Sequence, residues 1–262
     1  MNNDNIFAQL QILSKMNAET TIDDLRRQLN ELVEFFKGRP QYTDEVTIFA
    51  EKVRNLKVQT LLDCDSFMVQ PDMLMTEIPE ELQHDSLGFC RNNYIIFSGR
   101  YVYPVKDVRG NVMGFCGYDK FSETKYMDSL NFGYRAKTYS CWGMEMLPVY
   151  YNNDKPVYFV EGIVCSLYLR QEGLQSLAML GSNISTYMIE VIKRFRNRAI
   201  FICDADEAGN HCRSTLRRRV PWLRCIQSHI AKDVDDSREV DPNFVEELKR
   251  LRNPFINSDL FC

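Results

Sequence analysis

The sequence of 262 residues lacks the features of a membrane-bound or secreted chain. It contains no run that approaches the roughly 20 apolar residues a membrane helix requires. Its first residues, MNNDNIFAQLQILSKMN, carry no basic segment followed by an apolar one, which a secretory signal would have. We therefore expect a cytoplasmic protein that makes no membrane contacts.

The sequence is also poor in the residue patterns that bind zinc. The nine cysteines are an odd number, and no two of them are spaced as C-x-x-C. The three histidines, His84, His211 and His229, do not cluster along the chain. Both absences argue against a zinc ribbon and against a thioredoxin-type motif. The sequence therefore predicts reduced, mostly buried thiols and no zinc.

Positive charge is not in excess. The chain has 32 basic and 36 acidic residues and a formal net charge of -4, which argues against a protein that coats nucleic acid by bulk charge. Two segments depart from this balance. Residues 100–137 contain seven basic and four acidic side chains, and residues 193–224 contain nine basic and three acidic ones. Any attraction to nucleic acid is thus expected to be local.

Three kinds of pattern follow one another along the chain. Residues 22–38 carry apolar side chains at helical spacing and predict a helix, and residues 44–56 predict a second one. Residues 101–105 and 112–115 are rich in β-forming residues and flank the turn sequence DVRG, which predicts a hairpin. The apolar runs PVYFV, SLAML, AIFIC and LRCIQS then alternate with helical segments, which indicates βαβ units and a mostly parallel sheet. A last helix is expected over residues 242–252.

Acidic residues stand where three of these predicted strands end. Glu161 follows PVYFV, Asp204 and Asp206 follow AIFIC, and the sequence KDVD at residues 232–235 comes after LRCIQS. The carboxyl ends of parallel strands meet at one edge of a sheet, so these carboxylates are expected to lie close together and to repel one another. Mg²⁺ prefers oxygen ligands and would relieve that repulsion. The alternative is that they cap helices or lie in solvated loops, and Asp206 in particular precedes a predicted helix.

The ordered motifs E-G, D-x-D-x-A-G and K-D-x-D resemble a TOPRIM domain, the metal-binding fold of bacterial-type primases, topoisomerases and some nucleases. Upstream, RYVYPVKDVRGNVMGFCGY resembles the primase pattern F-P-I-x-D-x-x-G-x-x-x-G-F-G-G-R, and KYMDSLNFGYRAKTYSCWG aligns without gaps on the next primase block. The matching positions are Tyr103, Pro104, Val105, Asp107, Gly110, Gly114, Phe115, Gly117, Lys125, Tyr126, Ser129, Lys137 and Gly143. Over roughly residues 90–240, the chain is therefore similar to the DnaG-type primase family.

The sequence departs from the family pattern at three positions. Cys165 stands where the family has an acidic residue, Tyr118 replaces the arginine that closes G-F-G-G-R, and KDVD lacks the family's proline. The resemblance implies a TOPRIM α/β domain with a mostly parallel four-stranded sheet, preceded by a mixed α+β primase subdomain and by N-terminal helices. The expected division is a helical region over 1–90, a basic α+β subdomain over 91–150, the TOPRIM metal-binding domain over 151–240 and a C-terminal helix or tail over 241–262.

The resemblance also implies a function, namely a nucleotidyltransferase that synthesises short RNA primers on single-stranded DNA for replication. It would use Mg²⁺ or Mn²⁺, ribonucleoside triphosphates and a separately encoded replicative helicase, in a bacterium or a virus-infected host cell. The expected catalytic residues are Glu161, Asp204 and Asp206, which are joined as metal ligands by Asp233 and Asp235. Glu161 could alternatively act as a general base. The expected contacts to nucleic acid or nucleotide are Arg100, Lys106, Arg109, Lys125, Lys137 and Lys232.

Two other functions fit parts of the same pattern. A metal-dependent nuclease of the TOPRIM class would share the carboxylates, but the primase-like block before the E-G motif argues against it. A catalytically weakened module that binds single strands would fit Cys165, and its binding would be indifferent to Glu161→Gln and Asp204→Asn. Assays for cleavage and for primer synthesis discriminate among the three.

Overall fold

A computed structural model describes residues 22–131, 134–135, 140–181, 183–227, 231–241 and 243–250. The helices are α1 (Ile22–Lys37), α2 (Tyr42–Ile48), α3 (Val58–Leu62), α4 (Leu147–Tyr151), α5 (Ile163–Gln171), α6 (Thr186–Arg194), α7 (Glu207–Arg219), α8 (Val234–Val240) and α9 (Phe244–Arg250). The strands are β1 (Phe67–Met68), β2 (Cys90–Arg91), β3 (Tyr94–Ile95), β4 (Tyr101–Lys106), β5 (Val112–Tyr118), β6 (Tyr126–Asp128), β7 (Leu130–Asn131), β8 (Tyr134–Arg135), β9 (Val157–Val160), β10 (Gln175–Ala178), β11 (Ala199–Cys203) and β12 (Arg224–Gln227). None of these helices combines the length and the apolar character needed to cross a membrane.

Helix α1 forms where the apolar spacing predicted it. Asp23 and Asp24 occupy its first turn, where the helix dipole favours negative charge. It ends before Gly38, whose N–H donates to the carbonyl of Glu34 at 2.9 Å. One face of the helix is buried through Leu25, Leu29, Leu32, Val33 and Phe36. This prediction is confirmed.

The second predicted helix is divided in the structure. An α-helical part, α2, continues into a π-helical turn over Phe49–Arg54. The Phe49 ring stacks on Tyr101 with 3.7 Å between ring centroids, at the point where the helix widens. Apolar spacing alone does not predict such a turn, because π-helical turns are rare single-turn features and a segment of six residues is too short to show a change of period.

The chain divides into two compact units. The first is made of the described parts of Met1–Phe49, Leu62–Val105 and Asn111–Ala136. The second is made of the described parts of Ala50–Leu61, Lys106–Gly110 and Lys137–Cys262. The division into four consecutive segments stays a prediction.

The first unit contains an antiparallel sheet with the strand order β1-β4-β5-β6. The predicted hairpin is present, because β4 and β5 are neighbours and the N–H of Gly110 donates to the carbonyl of Asp107 at 3.0 Å in the turn between them. Gly110 has φ +85°, which explains why glycine suits that position. The sheet and α1 enclose an aromatic core, in which Phe36 stacks on Phe67 at 4.3 Å.

The second unit contains the parallel four-stranded sheet that the alternating pattern predicted. Its strand order is β10-β9-β11-β12, and the registers of all three pairs are parallel. Val157 of β9 lies opposite Gln175 of β10 and Ala199 of β11. Strands β9 and β11 are buried along their whole length, as expected of central strands covered on both faces. The predicted α/β class is confirmed.

Candidate active site

The carboxyl ends of β9 and β11 bring two predicted site residues into contact. Glu161 follows β9 and Asp204 follows β11, and these strands are direct neighbours. The carboxylate Oε1 of Glu161 accepts a hydrogen bond from the N–H of Asp204 at 3.3 Å. Glu161 is only 8% exposed, although it is an ionisable residue. Buried carboxylates require hydrogen bonds or a cation to compensate for lost solvation.

Burial and mutual repulsion raise the pKa values at this edge of the sheet. The pKa of Asp204 is raised to about 7, first by burial and then by the charges of Glu161, Asp233 and Asp206. Burial also raises the pKa of Glu161, and the charges of Asp206 and Asp233 act in the same direction. The four carboxylates therefore share one electrostatic environment, and that environment carries an excess of negative charge.

Asp206 and Asp233 both cap helices. Oδ1 of Asp206 accepts from the N–H of Gly209 at 2.8 Å at the start of α7. Oδ1 of Asp233 accepts from the N–H of Asp236 at 2.9 Å at the start of α8. The capping role that the sequence left open for Asp206 is thus present. Capping occupies one oxygen of each carboxylate, so it does not exclude a second role for the other oxygen.

Lys232 is the counter-charge of this cluster. Its Nζ lies 3.2 Å from Oδ2 of Asp206, and the hydrogen bond to that carboxylate raises the pKa of the lysine. The hydrogen bond to the N–H of Gly209, followed by the bond to Lys232, lowers the pKa of Asp206. A contact between Lys232 and nucleic acid therefore competes with its bond to Asp206. Asp235 lies in the first turn of α8, and the structure describes its backbone but not its side chain.

The residues present suit a hard divalent cation. Within the described ranges, no three His, Cys, Asp or Glu side chains are grouped closely enough to hold a metal ion as a complete protein cage. Mg²⁺ does not need such a cage, because it is commonly held by one or two carboxylates together with water and substrate phosphates. Glu161 and Asp204 offer this kind of oxygen ligand. The nearby thiols are unsuited to zinc, since burial raises the pKa of Cys203 to about 12 and that of Cys212 still further.

Gly209 sets how closely α7 approaches this edge of the sheet. A Cβ at this position would lie 2.2 Å from the carbonyl oxygen of Asp204, which is a backbone atom with no freedom to rotate away. Glycine therefore permits an approach between the helix start and Asp204 that no other residue allows. The sequence showed this glycine within D-x-D-x-A-G, but its partner is visible only in three dimensions.

We expect Gly209→Ala to lower the free energy of unfolding by about 1–3 kcal/mol, as overpacking against a fixed neighbour does. The added methyl group forces the first turn of α7 away from Asp204 and strains the cap formed by Asp206. Thermal unfolding measures the effect. Ser214→Ala, an exposed position of the same helix, is the control and should stay within about 0.5 kcal/mol of the parent protein. Equal melting temperatures for Gly209→Ala and the parent would contradict this account.

The predicted basic contacts lie in different environments. Lys125 and Arg109 are exposed and Lys106 is half-buried, while Lys137 lies outside the described residues. Arg100 is only 7% exposed. The structure therefore favours a supporting role for Arg100 over a direct contact with nucleic acid, because its guanidinium is already committed within the protein.

Arg100 supports the loop that joins β5 to β6. Its Nη1 donates to the carbonyls of Thr124 at 3.0 Å and Lys125 at 3.3 Å, and its Nη2 donates to Oγ of Ser122 at 3.1 Å. The loop, residues 119–125, also contains a hydrogen bond from the N–H of Phe121 to Oδ1 of Asp119 at 2.9 Å. We call this segment the β5–β6 tip.

The β5–β6 tip presents an aromatic ring that sequence reasoning missed. The side chain of Phe121 is 92% exposed, and the exposed side chains of Lys120 and Lys125 belong to the same loop. The sequence contains one hint of this exposed ring, a phenylalanine inside the polar stretch KFSETK. Only the structure shows that the ring faces solvent. Aromatic rings beside basic residues are typical of surfaces that stack single-stranded bases.

Comparison with known proteins identifies relatives that are similar to this chain in sequence. No protein-family model matches the chain. The DNA primase of Buchnera aphidicola subsp. Acyrthosiphon pisum is 31% identical over 153 residues, which are 55% of this chain and 26% of that protein. The DNA primase of Aquifex aeolicus is 26% identical over 166 residues, which are 60% of this chain and 33% of that protein. The chain thus matches these relatives over about a quarter to a third of their length.

Solved structures give a similarity that extends over most of the chain. A structure of the DnaG catalytic core has a TM-score of 0.69 at 22% identity, and the match covers 88% of this chain and 81% of that one. A DnaG primase catalytic domain bound to ssDNA has a TM-score of 0.70 at 23% identity, with 86% and 77% covered. At these identities, the similarity establishes the fold.

The second unit contains a parallel sheet with carboxylates at the ends of adjacent strands. This arrangement is a TOPRIM-type α/β fold. More narrowly, the chain has the fold of the DnaG primase catalytic core and is related in sequence to bacterial DNA primases. The resemblance predicted from the motifs is therefore confirmed.

Proposed function

We propose that the chain is the catalytic core of a DNA primase, which joins ribonucleoside triphosphates into short RNA primers on single-stranded DNA. The observation that carries the proposal is the contact between Glu161 and the N–H of Asp204 at 3.3 Å, at the ends of adjacent parallel strands. Burial, and after it the charges of neighbouring carboxylates, raises the pKa values of both residues, and a divalent cation would neutralise that charge. The sequence relationship to DNA primases supports the same function.

The reaction requires attack of a primer 3′-hydroxyl on the α-phosphate of the incoming nucleotide. Mg²⁺ or Mn²⁺ would supply charge neutralisation and orientation of the triphosphate when bound. Glu161 and Asp204 would hold the cation, with Asp206, Asp233 and Asp235 as further candidate ligands. The raised pKa of Glu161 also suits a group that accepts a proton, so we retain general base as its alternative role.

Further partners belong to the same proposal. The template would be single-stranded DNA, and a separately encoded replicative helicase would deliver it. The proposed site of action is a bacterial cell or a virus-infected host cell, in its cytoplasm. Lys106, Arg109, Lys125, Lys137 and Lys232 remain the proposed contacts to nucleic acid or nucleotide.

A primer-synthesis assay tests the function. The chain is incubated with several single-stranded templates, labelled ribonucleotides and Mg²⁺ or Mn²⁺, with and without candidate helicases. We expect short RNA products that require both metal and template and that disappear with EDTA. No oligomer formation under any of these conditions would overturn the proposal. Shortening of the template instead of synthesis would identify a nuclease.

We propose that the β5–β6 tip stacks a base of the single strand on Phe121. Phe121→Ala is expected to weaken binding of a single-stranded oligonucleotide by about 1–3 kcal/mol, as removal of a stacking ring does. Fluorescence anisotropy at fixed salt measures the affinity. Tyr94→Ala removes another aromatic ring of the first unit, one that is 76% exposed, and should leave the affinity unchanged. Equal losses in the two variants would contradict the role of the tip.

A further inference from the structure

The backbone around Asp204 is held by three different parts of the second unit. The N–H of Asp204 donates to Glu161, which follows β9. The N–H of Ala205 donates to the carbonyl of Lys232 at 2.5 Å, in the segment before α8. The carbonyl of Asp204 accepts from Nε2 of Gln227 at 2.9 Å, at the end of β12. Two of these three partners are side chains, and of the two Gln227 is the one that carries no charge and that no motif indicated.

The amide of Gln227 is itself fixed in orientation. Its Oε1 accepts from Nη1 of Arg213 on α7 at 3.1 Å, while Nη2 of Arg213 donates to Oδ1 of Asn210 at 3.0 Å. A flipped amide would place its NH₂ group against the guanidinium and its oxygen against the carbonyl of Asp204. Both contacts would be repulsive, so Arg213 allows a single orientation.

Helix α7 also limits the position of the Asp204 carbonyl, through Gly209. Gly209 approaches that oxygen so closely that no Cβ fits between them. Gln227 contacts the same oxygen from the neighbouring strand, since Cys203 and Gln227 are paired in the register of β11 and β12. With its carbonyl held between α7 and β12, residue 204 has little freedom to shift along the strand axis. The backbone position from which the Asp204 carboxylate extends is then held by groups that do not touch the carboxylate itself.

We propose that Gln227 is a positioning residue for the cation site, that it acts through the Asp204 backbone, and that Arg213 fixes its amide. The proposal rests on the proposed function, because it assumes that Asp204 binds a divalent cation. Outer groups that orient metal ligands typically change metal affinity by about 10–100-fold when they are removed. Gln227 and Arg213 would be such groups, joined by one hydrogen bond.

Mn²⁺ binding tests the proposal without any need for catalysis. The free-Mn²⁺ signal in electron paramagnetic resonance is titrated with the full chain in the absence of nucleotide and DNA. Gln227→Met keeps the side-chain length and removes both polar groups, and we expect it to weaken Mn²⁺ binding about 10-fold. Arg218→Gln changes an exposed arginine five residues beyond Arg213 on α7, and this control should bind like the parent. If Gln227→Met and the parent both bind Mn²⁺ with equal affinity, the positioning role of Gln227 is overturned and the cation site itself is not.

A parent chain that binds no Mn²⁺ would overturn the cation site and with it the proposed function. The two failures are therefore distinguishable. Thermal unfolding in EDTA checks that Gln227→Met is folded, and Arg213→Gln provides a second variant if it is not. If the defect of either variant is one of positioning, we expect a higher Mg²⁺ concentration to restore the rate of primer synthesis. A rate that stays low at every Mg²⁺ concentration would indicate a general structural defect and would contradict the proposal.

The pair also predicts non-additivity. Because Arg213 is proposed to act through Gln227, the double variant Arg213→Gln/Gln227→Met should bind Mn²⁺ no more weakly than Gln227→Met alone. Losses that multiply in the double variant would show that the two residues act independently, and would overturn the proposed chain from Arg213 through Gln227 to Asp204.

Discussion

Asp204→Asn is expected to reduce primer synthesis by about 10²–10³-fold and, at neutral pH, to make the metal-free protein more stable. The loss of activity follows from removal of a cation ligand, which supplies several kcal/mol of charge stabilisation in the transition state. The gain in stability follows from the environment of Asp204, which burial and three neighbouring carboxylates make unfavourable for a negative charge. Asparagine has nearly the same shape and no charge.

Both effects are measured on one protein sample, by template-dependent RNA synthesis with Mg²⁺ and by thermal unfolding in EDTA at pH 8. Asp154→Asn is the matched control, because Asp154 is exposed and precedes β9 at the end of the strand away from Glu161. It should change neither result. An Asp204→Asn variant that retains activity, or that melts below the parent in EDTA, would contradict the role assigned to this residue.

The metal-free protein is expected to lose stability as the pH rises from about 4 to about 7, by up to about 4 kcal/mol. The pKa of Asp204 is about 7 in the folded chain, against an ordinary value near 3.8. Between these two values the folded state keeps a proton that the unfolded state has released, so deprotonation favours unfolding. Asp206 works in the opposite direction, since its pKa is lowered by the bond from the N–H of Gly209.

Urea unfolding at pH 5 and pH 8, with and without Mg²⁺, measures this dependence. Mg²⁺ should stabilise the protein more at pH 8, where the ionised carboxylates bind it, and at 100 times its dissociation constant it adds about 2.7 kcal/mol. Asp204→Asn is the control and should show a flatter pH dependence and a smaller gain from Mg²⁺. Stability that rises between pH 5 and pH 8 in EDTA, in the parent but not in this variant, would contradict the assignment.

Much of the fold follows from local patterns in the sequence. The apolar spacing of residues 22–38 is enough to predict α1, because a helix that packs on a protein core needs one apolar face. The four short apolar runs are enough to predict the parallel sheet, since βαβ connections allow only a few strand topologies. The position of Glu161 and Asp204 at one edge of the sheet follows from that topology.

The rest depends on contacts between residues far apart in sequence. Arg100 lies in a basic segment, and only the packing of the first unit shows that it is buried beneath the β5–β6 tip. Gln227 carries no charge and belongs to no motif, so its bond to the carbonyl of Asp204 depends on the register between β11 and β12. The π-helical turn at Phe49–Arg54 is likewise a feature that the apolar spacing of residues 44–56 does not indicate.

The most direct test of the account is the position of a bound cation. Crystals of the chain soaked in Mn²⁺ should show an anomalous difference peak within coordination distance of the carboxylates of Glu161 and Asp204. The peak should be absent from crystals of Asp204→Asn treated in the same way. No peak at this site in the parent protein at saturating Mn²⁺, or an unchanged peak in the variant, would contradict the claim that these strand ends hold the cation for nucleotide joining.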